Sequence, residues 1–187
     1  MLVTDLKIGG YRFGSKTFYA AKHRGIDLKA DYVRINFPVD LYDCKSSTNN
    51  GGGLTFYGTD KSGYVHRLMH LSKVPWQGTL VKAYADFATT GNSGKYTTGP
   101  HLHWDIRKPN TSSLAFGNFI DPEVWKKTVL PNLLKMELQE WQKSFIKEAI
   151  EKGISTGENP LDNLTRVECM GMVLKGIQYI EKKYNLK

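Results

Sequence analysis

Cysteine is scarce in this sequence, with only Cys44 and Cys169 among 187 residues. The two lie far apart along the chain, and neither belongs to a C-x-x-C pair. The pattern therefore contains no disulfide framework and no thiolate metal site. We expect two reduced thiols that are partly buried.

Long apolar runs are also absent, and no stretch reaches the roughly 20 residues that a membrane-spanning helix needs. Residues 1–14 lack a cationic segment followed by a continuous apolar stretch, so we expect no signal peptide and no membrane insertion. Either the protein stays in the cytoplasm where it is made, or a route other than ordinary secretion releases it.

Positive charge is in excess and unevenly distributed. Residues 1–131 contain 17 Lys and Arg against 10 Asp and Glu, whereas residues 132–187 contain 9 against 8. The first segment should be attracted to a polyanion. Nucleic acid and anionic cell-wall polymers both meet that description, and charge alone does not separate them.

The chain up to about residue 121 has the pattern of β structure. Runs rich in β-branched and aromatic residues alternate with clusters of Gly, Asn, Ser and Pro. The predicted strands lie within residues 32–39, 53–59, 63–71, 79–87 and 101–107, and the main predicted turns are 45–53, 59–63 and 89–99. This predicts a mainly β domain over residues 1–131, built as an antiparallel sheet or sandwich.

Residues 132–187 have a different pattern, which predicts a small α-helical hairpin. Apolar side chains recur at helical spacing, and Gly153 marks a plausible end of the first helix. In "TRVE", Thr165 and Glu168 have the spacing of a capping box that begins a second helix. The apolar positions of the first helix are Leu134, Leu138, Trp141, Phe145 and Ala149.

The stretch "TTGPHLHWDIR" (97–107) places several candidate catalytic or metal-binding side chains in one predicted strand. Side chains alternate between the two faces of a strand, so His101, His103, Asp105 and Arg107 should share one face. The intervening residues, Leu102, Trp104 and Ile106, should pack into the core.

A second candidate element is "HRGIDL", in which Asp27 follows His23 by four residues. In a straight strand the two would be about 13 Å apart, too far to share a metal ion. A bend at Gly25 would bring them together. Catalytic zinc commonly takes two His and a carboxylate and keeps a position for water. His23, Asp27 and either His101 or His103 supply that set, and no H-E-x-x-H motif competes with it.

"HRGIDL", "MHLS" and "TGPHLHWDIR", in this order, closely resemble the lysostaphin/LytM-type zinc metallopeptidases, which cut peptides of bacterial peptidoglycan. The resemblance covers about residues 11–107 and implies a compact antiparallel β fold with a groove. It also implies that His23, Asp27 and His103 bind one Zn²⁺, and that His101 and His70 are catalytic without being ligands.

Several residues near these motifs have open roles. Asp105 is either a partner of a metal ligand or one half of an ordinary salt bridge. His66 has no role in the resemblance and is structural or exposed. The stretches 44–53 and 91–103 look like enlarged loops that border the groove.

The helical tail resembles a single S-layer-homology repeat, of the kind that binds cell-wall polymers. Trp141 and Arg166 are then candidate wall contacts. The alternative is that the hairpin only packs on the β domain. A DNA-reading helix-turn-helix is disfavoured because the tail is nearly neutral.

Together these features predict a zinc endopeptidase of peptidoglycan, resembling a phage endolysin or a virion-associated lysin. It would be released through a holin-type lesion or carried on the virion. Its expected partners are peptidoglycan and anionic wall polymers, not nucleic acid. The alternatives are a catalytically silent wall-binding or activator module and a virion structural protein.

Overall fold

A computed structural model describes residues 1–151 of the chain. The chain divides into two compact units, Met1–Leu133 and Leu134–Lys187. The first unit holds every strand among the described residues, and it is the one that positions the histidines.

The described residues form eight strands and two α-helices. The strands are β1 (Gly25–Leu28), β2 (Arg34–Ile35), β3 (Tyr42–Asn49), β4 (Gly53–Thr59), β5 (Val65–Leu71), β6 (Ala88–Thr89), β7 (Leu102–Arg107) and β8 (Phe119–Ile120). The helices are α1 (Pro122–Thr128) and α2 (Leu130–Glu151). Neither helix has the length and apolar character that crossing a membrane would require.

The main sheet is antiparallel, with the strand order β1-β7-β5-β4-β3, and β8 also pairs with β7. A separate two-stranded sheet pairs β2 with β6. Strand β7 thus has β1 on one side and β5 on the other. Its register sets Asp27 of β1 and Met69 of β5 opposite His103. The predicted mainly β architecture with a small helical part is confirmed.

Strand β7 alternates as predicted. Leu102, Trp104 and Ile106 are fully buried in the core. On the other face His103 and Asp105 are also buried, whereas Arg107 is partly exposed. The face that carries the histidines is therefore covered by other parts of the unit and does not simply meet solvent.

The stretch 45–49 is a strand and not the predicted loop. Most of β3 is exposed, and it pairs with β4 from Lys45↔Tyr57 to Asn49↔Gly53 around a tight turn. Its Ser, Thr and Asn side chains suit an exposed edge strand, where backbone pairing alone supplies the order. The sequence predicts a turn here because Ser, Thr and Asn residues are typical of turns.

The predicted strand at 79–87 is wrong. Val81 exchanges backbone hydrogen bonds with Leu41, but the chain then turns at Tyr84, whose φ is 64°. Val81 and Phe87 are buried, so the apolar residues of this segment pack into the core although the segment is irregular. Strand propensity was outweighed by tertiary packing.

A buried polar network links the sheet to α1. Asp60 Oδ2 accepts hydrogen bonds from His66 Nε2 at 3.1 Å and from Trp125 Nε1 at 3.0 Å. Trp104 Nε1 donates to His66 Nδ1 at 3.2 Å. His66 is therefore a core residue with every ring nitrogen engaged, and of the two alternatives left open for it the structural one holds.

Helix α2 contains the helix predicted from residues 134–149. Gly153, the capping box at Thr165 and the second predicted helix lie outside the described residues. Cys44 is a free, buried thiol as expected, and Cys169 also lies outside the described residues.

Candidate metal centre

His23 and Asp27 meet at the start of β1. His23 lies two residues before the strand, and its Nε2 lies 3.4 Å from Asp27 Oδ1. Gly25 lies between them, and a Cβ at this position would come within 2.3 Å of the backbone oxygen of Trp104. A side chain there would push β1 away from β7. Glycine is therefore required for the close approach of the two strands that carry the cluster.

His103 completes the cluster from β7. Its Nδ1 lies 3.0 Å from Asp27 Oδ1 and 2.9 Å from His23 Nε2. One potential ligand atom from each of the three residues lies within 4.8 Å of the others, and all three residues are buried. The structure thus brings together the ligand set that the resemblance implies, from segments 76 residues apart in sequence between Asp27 and His103.

In His23 and His103, the ring nitrogen outside the cluster has an oxygen acceptor, which indicates that the nitrogen inside the cluster carries a lone pair. His23 Nδ1 lies 3.3 Å from the carbonyl oxygen of Arg12, and His103 Nε2 lies 3.1 Å from Asp105 Oδ2. Oxygen acceptors of this kind require an N–H, so the neutral rings present unprotonated nitrogens to the centre. In these neutral tautomers, two nitrogen lone pairs and a carboxylate oxygen converge, which is the environment of a metal cation.

The pKa shifts of Asp27 and His103 show that the centre of the cluster favours positive charge, either a proton or a metal cation. Burial raises the pKa of Asp27, but hydrogen bonds from His103 and His23 outweigh it, and the net pKa lies below its ordinary value. Burial lowers the pKa of His103, yet its contacts with Asp105 and Asp27 raise the net pKa. The site thus holds an ionised carboxylate and attracts positive charge.

Two further histidines stand beside the cluster without joining it. His101 Nε2 is 3.8 Å from Asp27 Oδ1, and its Nδ1 is 2.9 Å from the carbonyl oxygen of Gly99. His70 Nδ1 is 2.8 Å from the carbonyl oxygen of Ser93, and its ring centroid is 4.7 Å from that of His101. Each carbonyl fixes an N–H on Nδ1, so each neutral ring keeps Nε2 free to accept a proton.

His70 reaches this face by a backbone distortion. Alternation along β5 would put it on the core side with His66 and Leu68, but its φ of 65° lies in the left-handed region. The register between β4 and β5 also shifts between Leu54 and Phe56. Left-handed backbone in a histidine is uncommon and is typical of functional sites. Burial lowers the pKa of His70 to about 4, so the ring is neutral near pH 7.

Asp105 plays both of the roles that remained open for it. Its Oδ2 contacts His103 Nε2, and it also forms an ion pair with Arg67, which donates to both carboxylate oxygens. Arg67 was not singled out in the sequence, because 38 residues separate it from Asp105 and only the β5–β7 register sets them opposite each other. Arg67 and Asp105 together orient the His103 ring.

We expect Asp105→Asn to lower the affinity for Zn²⁺ about 10- to 100-fold, the usual effect of losing a carboxylate behind a metal-ligating histidine. Competition with a chromogenic chelator would measure the change. Asp31→Asn, at an exposed position away from the cluster, should leave the affinity unchanged. Equal affinities for the Asp105 variant and wild type would show that this contact does not position His103.

The cluster opens to two cavities. A cavity of about 810 Å³ is lined by His23, His70 and His103, and a second of about 230 Å³ is lined by Asp27 and His101. Both are also lined by Tyr19 and Tyr96, whose rings stack with centroids 4.9 Å apart. Tyr96 belongs to the predicted loop 91–103. The stretch 44–53 also borders the larger cavity, although most of it is strand β3.

The two candidate residues of the tail, Trp141 and Arg166, belong to the second unit. Trp141 lies in α2 and is partly exposed. Arg166 lies outside the described residues.

Comparison with solved structures identifies the fold. The chain is similar to LytU, with 28% identity and a TM-score of 0.54 over 64% of this chain and 83% of LytU. It is also similar to the catalytic domain of the antimicrobial peptidase lysostaphin from Staphylococcus simulans, with 27% identity and a TM-score of 0.52 over 67% of this chain and 95% of that domain.

The fold also matches a mutant form of the catalytic domain of the prophage-encoded M23 protein EnpA from Enterococcus faecalis. That match has 23% identity and a TM-score of 0.50 over 61% of this chain and 87% of the other. No protein-family model and no curated protein matches the chain.

The structural neighbours are thus lysostaphin/LytM-type M23 peptidase domains. With this fold and a buried His–Asp–His cluster, the chain is of the metallo-endopeptidase class.

Proposed function

We propose that the chain is a zinc-dependent endopeptidase that hydrolyses peptide bonds of bacterial peptidoglycan. The observation that carries the proposal is the convergence of potential ligand atoms of His23, Asp27 and His103 within 4.8 Å of one another, beside the free Nε2 atoms of His70 and His101. The resemblance to lysostaphin-type domains supplies the substrate class.

His23, Asp27 and His103 would hold the zinc ion. When bound, zinc acts as a Lewis acid toward a peptide carbonyl and makes water a stronger nucleophile near neutral pH. The donor set fits this ion because it offers two nitrogens and one carboxylate oxygen, with the imidazoles fixed from behind.

The two neighbouring histidines would act in proton transfer and in stabilising the oxyanion. His101 Nε2 accepts the proton from the attacking water, while the carbonyl of Gly99 keeps its ring oriented through Nδ1. His70 can donate from Nε2 only when its ring is doubly protonated, because Nδ1 donates to Ser93. In that form it would stabilise the developing oxyanion, and the charge there would raise its low pKa.

The test is hydrolysis of purified cell walls, read by loss of turbidity and by mass spectrometry of the released fragments. We expect clearing by the zinc-loaded protein, loss of clearing with a chelator, and recovery when zinc is restored. Zinc content measured on the same samples separates an enzyme from a silent wall-binding or activator module. A fully zinc-loaded protein that binds walls of several chemotypes without cutting any would favour the silent module.

We further propose that the protein is a phage lysin, either released through a holin-type lesion or carried on the virion. The basic charge of residues 1–131 would favour contact with an anionic wall. Detection in purified virions would distinguish a virion-borne protein from an endolysin found only in lysates.

The third part of the proposal is that residues 132–187 form a wall-binding unit of the S-layer-homology type. We expect Trp141→Ala and Arg166→Ala to lower binding to whole walls about fivefold or more, as for residues that dominate an interface. Cleavage of a small soluble peptide should be unchanged. Lys182→Ala is the control. Unchanged wall binding by both variants would favour a purely packing role for the tail.

A further inference from the structure

A third cavity, of about 530 Å³, lies on the same face of the main sheet as the histidine cluster. Arg67 and Leu114 line both this cavity and the larger one beside His103, so the two adjoin. The cavity follows β7 from Asp105 to Arg107 and crosses to β4 and β3. We call it the sheet groove. It gives the cleft at the histidine cluster an extension along the sheet.

Cationic side chains outnumber carboxylates along the sheet groove. Arg107 lines it from β7, and its Nη1 donates to the carbonyl of Ser112 at 3.3 Å. Its Nε is buried and has no hydrogen-bond partner among residues 1–151. Lys45 lines the opposite side from β3, is exposed, and has Nζ 5.9 Å from the centre of the Tyr57 ring. Both groups retain donors for a ligand.

A further arginine lines the adjoining larger cavity. Arg24 lies over the ring of Phe119, 5.3 Å from its centre, and Phe119 lines the sheet groove. Its Nη1 donates to the carbonyl of Leu114 at 2.9 Å. The segment 112–114 thus holds Arg107 and Arg24 by backbone carbonyls, which orient guanidinium groups without neutralising them.

The carboxylates on this surface are too few to balance these cations. Asp105 is already shared between Arg67 and His103, and Asp43 is the other acidic residue that lines the sheet groove. Among the residues that line the sheet groove, Asp43 is therefore the one carboxylate left to offset Lys45 and Arg107, and Arg24 adds a further positive charge next to the groove. Such a surplus of cations with unused donors is typical of a site for an anionic ligand.

We propose that the sheet groove binds a carboxylate group of the substrate peptide and thereby selects stem peptides with free carboxyl groups over uncharged glycine bridges. This inference rests on the proposed function. Arg107 is four residues beyond His103 on one strand face, so the carboxylate would lie within about 13 Å of the cluster along the sheet. That distance suits another part of the same peptide, and the planar guanidinium of Arg107 matches a carboxylate in shape.

The experiment compares two cross-linked stem-peptide dimers that differ only in having free carboxyl groups or carboxamides. Binding to the full-length chain is measured by calorimetry, and cleavage is measured as KM and kcat. We expect the acid form to bind about tenfold or more tightly than the amide, with the difference in KM and not in kcat. Lys45→Gln and Arg107→Gln should each remove most of this preference, whereas Arg107→Lys should retain part of it.

Lys73→Gln makes the same change of charge at an exposed position that lines none of the described cavities, and it should keep the wild-type preference. Equal binding of acid and amide dimers to the wild type would overturn the inference. The inference would also be overturned if a ribitol phosphate polymer displaced the bound acid dimer at lower concentrations than free acid dimer does, because the groove would then be a phosphate site. If the protein cleaves both dimers in a metal-dependent way without preferring the acid form, the groove inference fails and the proposed function stands. If it binds the acid form preferentially but cleaves neither dimer, the proposed hydrolysis fails and the groove inference stands.

Discussion

Replacing Asp27 by alanine is expected to remove bound zinc and wall hydrolysis together. Asp27 Oδ1 lies 3.4 Å from His23 Nε2 and 3.0 Å from His103 Nδ1, and it is the only carboxylate among the three candidate ligands. Its loss leaves two neutral imidazoles and removes the negative charge that holds the cation. We expect a fall in hydrolysis of about a thousandfold or more, because zinc supplies several kcal/mol of transition-state stabilisation.

Zinc content by mass spectrometry and wall-clearing rate are measured on the same preparations. Asp31→Ala, which removes an exposed carboxylate, should change neither. His101→Ala provides the sharper comparison, because it should keep zinc and lose most turnover. Zinc retained by Asp27→Ala at wild-type affinity would contradict the ligand assignment, and full activity of His101→Ala would reject its role as a base.

The second large effect concerns stability. Asp60→Ala is expected to lower the free energy of unfolding by about 3 to 5 kcal/mol, the range for removing one partner of a buried charged network. The Asp60 side chain is fully buried, and it accepts from His66 Nε2 and Trp125 Nε1. It also accepts from the backbone N–H groups of Ser62 and Tyr64. The ring N–H donors of His66 and Trp125 would remain buried without this acceptor.

Urea unfolding followed by tryptophan fluorescence would measure this loss, with Asp31→Ala as the exposed control. Asp60→Asn should be less severe, because it keeps one acceptor oxygen. A loss below about 1 kcal/mol for Asp60→Ala would mean that the network is not an important source of stability.

The same network makes stability depend on pH. Burial lowers the pKa of His66 in the folded state, although its hydrogen bond to Asp60 opposes this. The unfolded chain therefore binds the proton more readily, and stability contributed by the neutral ring is full above about pH 6.5 and declines as the pH falls below it. Protonation would also place an N–H on Nδ1, opposite the N–H of Trp104.

Local sequence patterns predicted the parts of the site that depend on short-range geometry. Strict alternation in "HLHWDIR" correctly separates Trp104, which is fully buried in the core, from His103 and Asp105 on the other face. The sequence predicts a bend at Gly25 that brings His23 and Asp27 together, and the structure shows that glycine is needed there mainly for the close packing of β1 against β7. Strand β4 matches its predicted span, because β-branched and aromatic residues fill it.

Long-range pairing determined the rest. Spacing alone left His101 and His103 as equal candidates, and the strand register sets His103 opposite Asp27. Alternation would put His70 in the core, but a left-handed residue at a register shift turns it toward the cluster. Arg67 meets Asp105 only through the pairing of β5 with β7.

The amino-acid sequence on its own thus specifies which donor atoms are present and on which face of each strand they lie, because both follow from side-chain chemistry and the two-residue period of a strand. The assembled sheet decides which of those atoms come within ligand distance of one another. That choice depends on register and on single distorted residues, and contacts between segments distant in sequence leave no local signature.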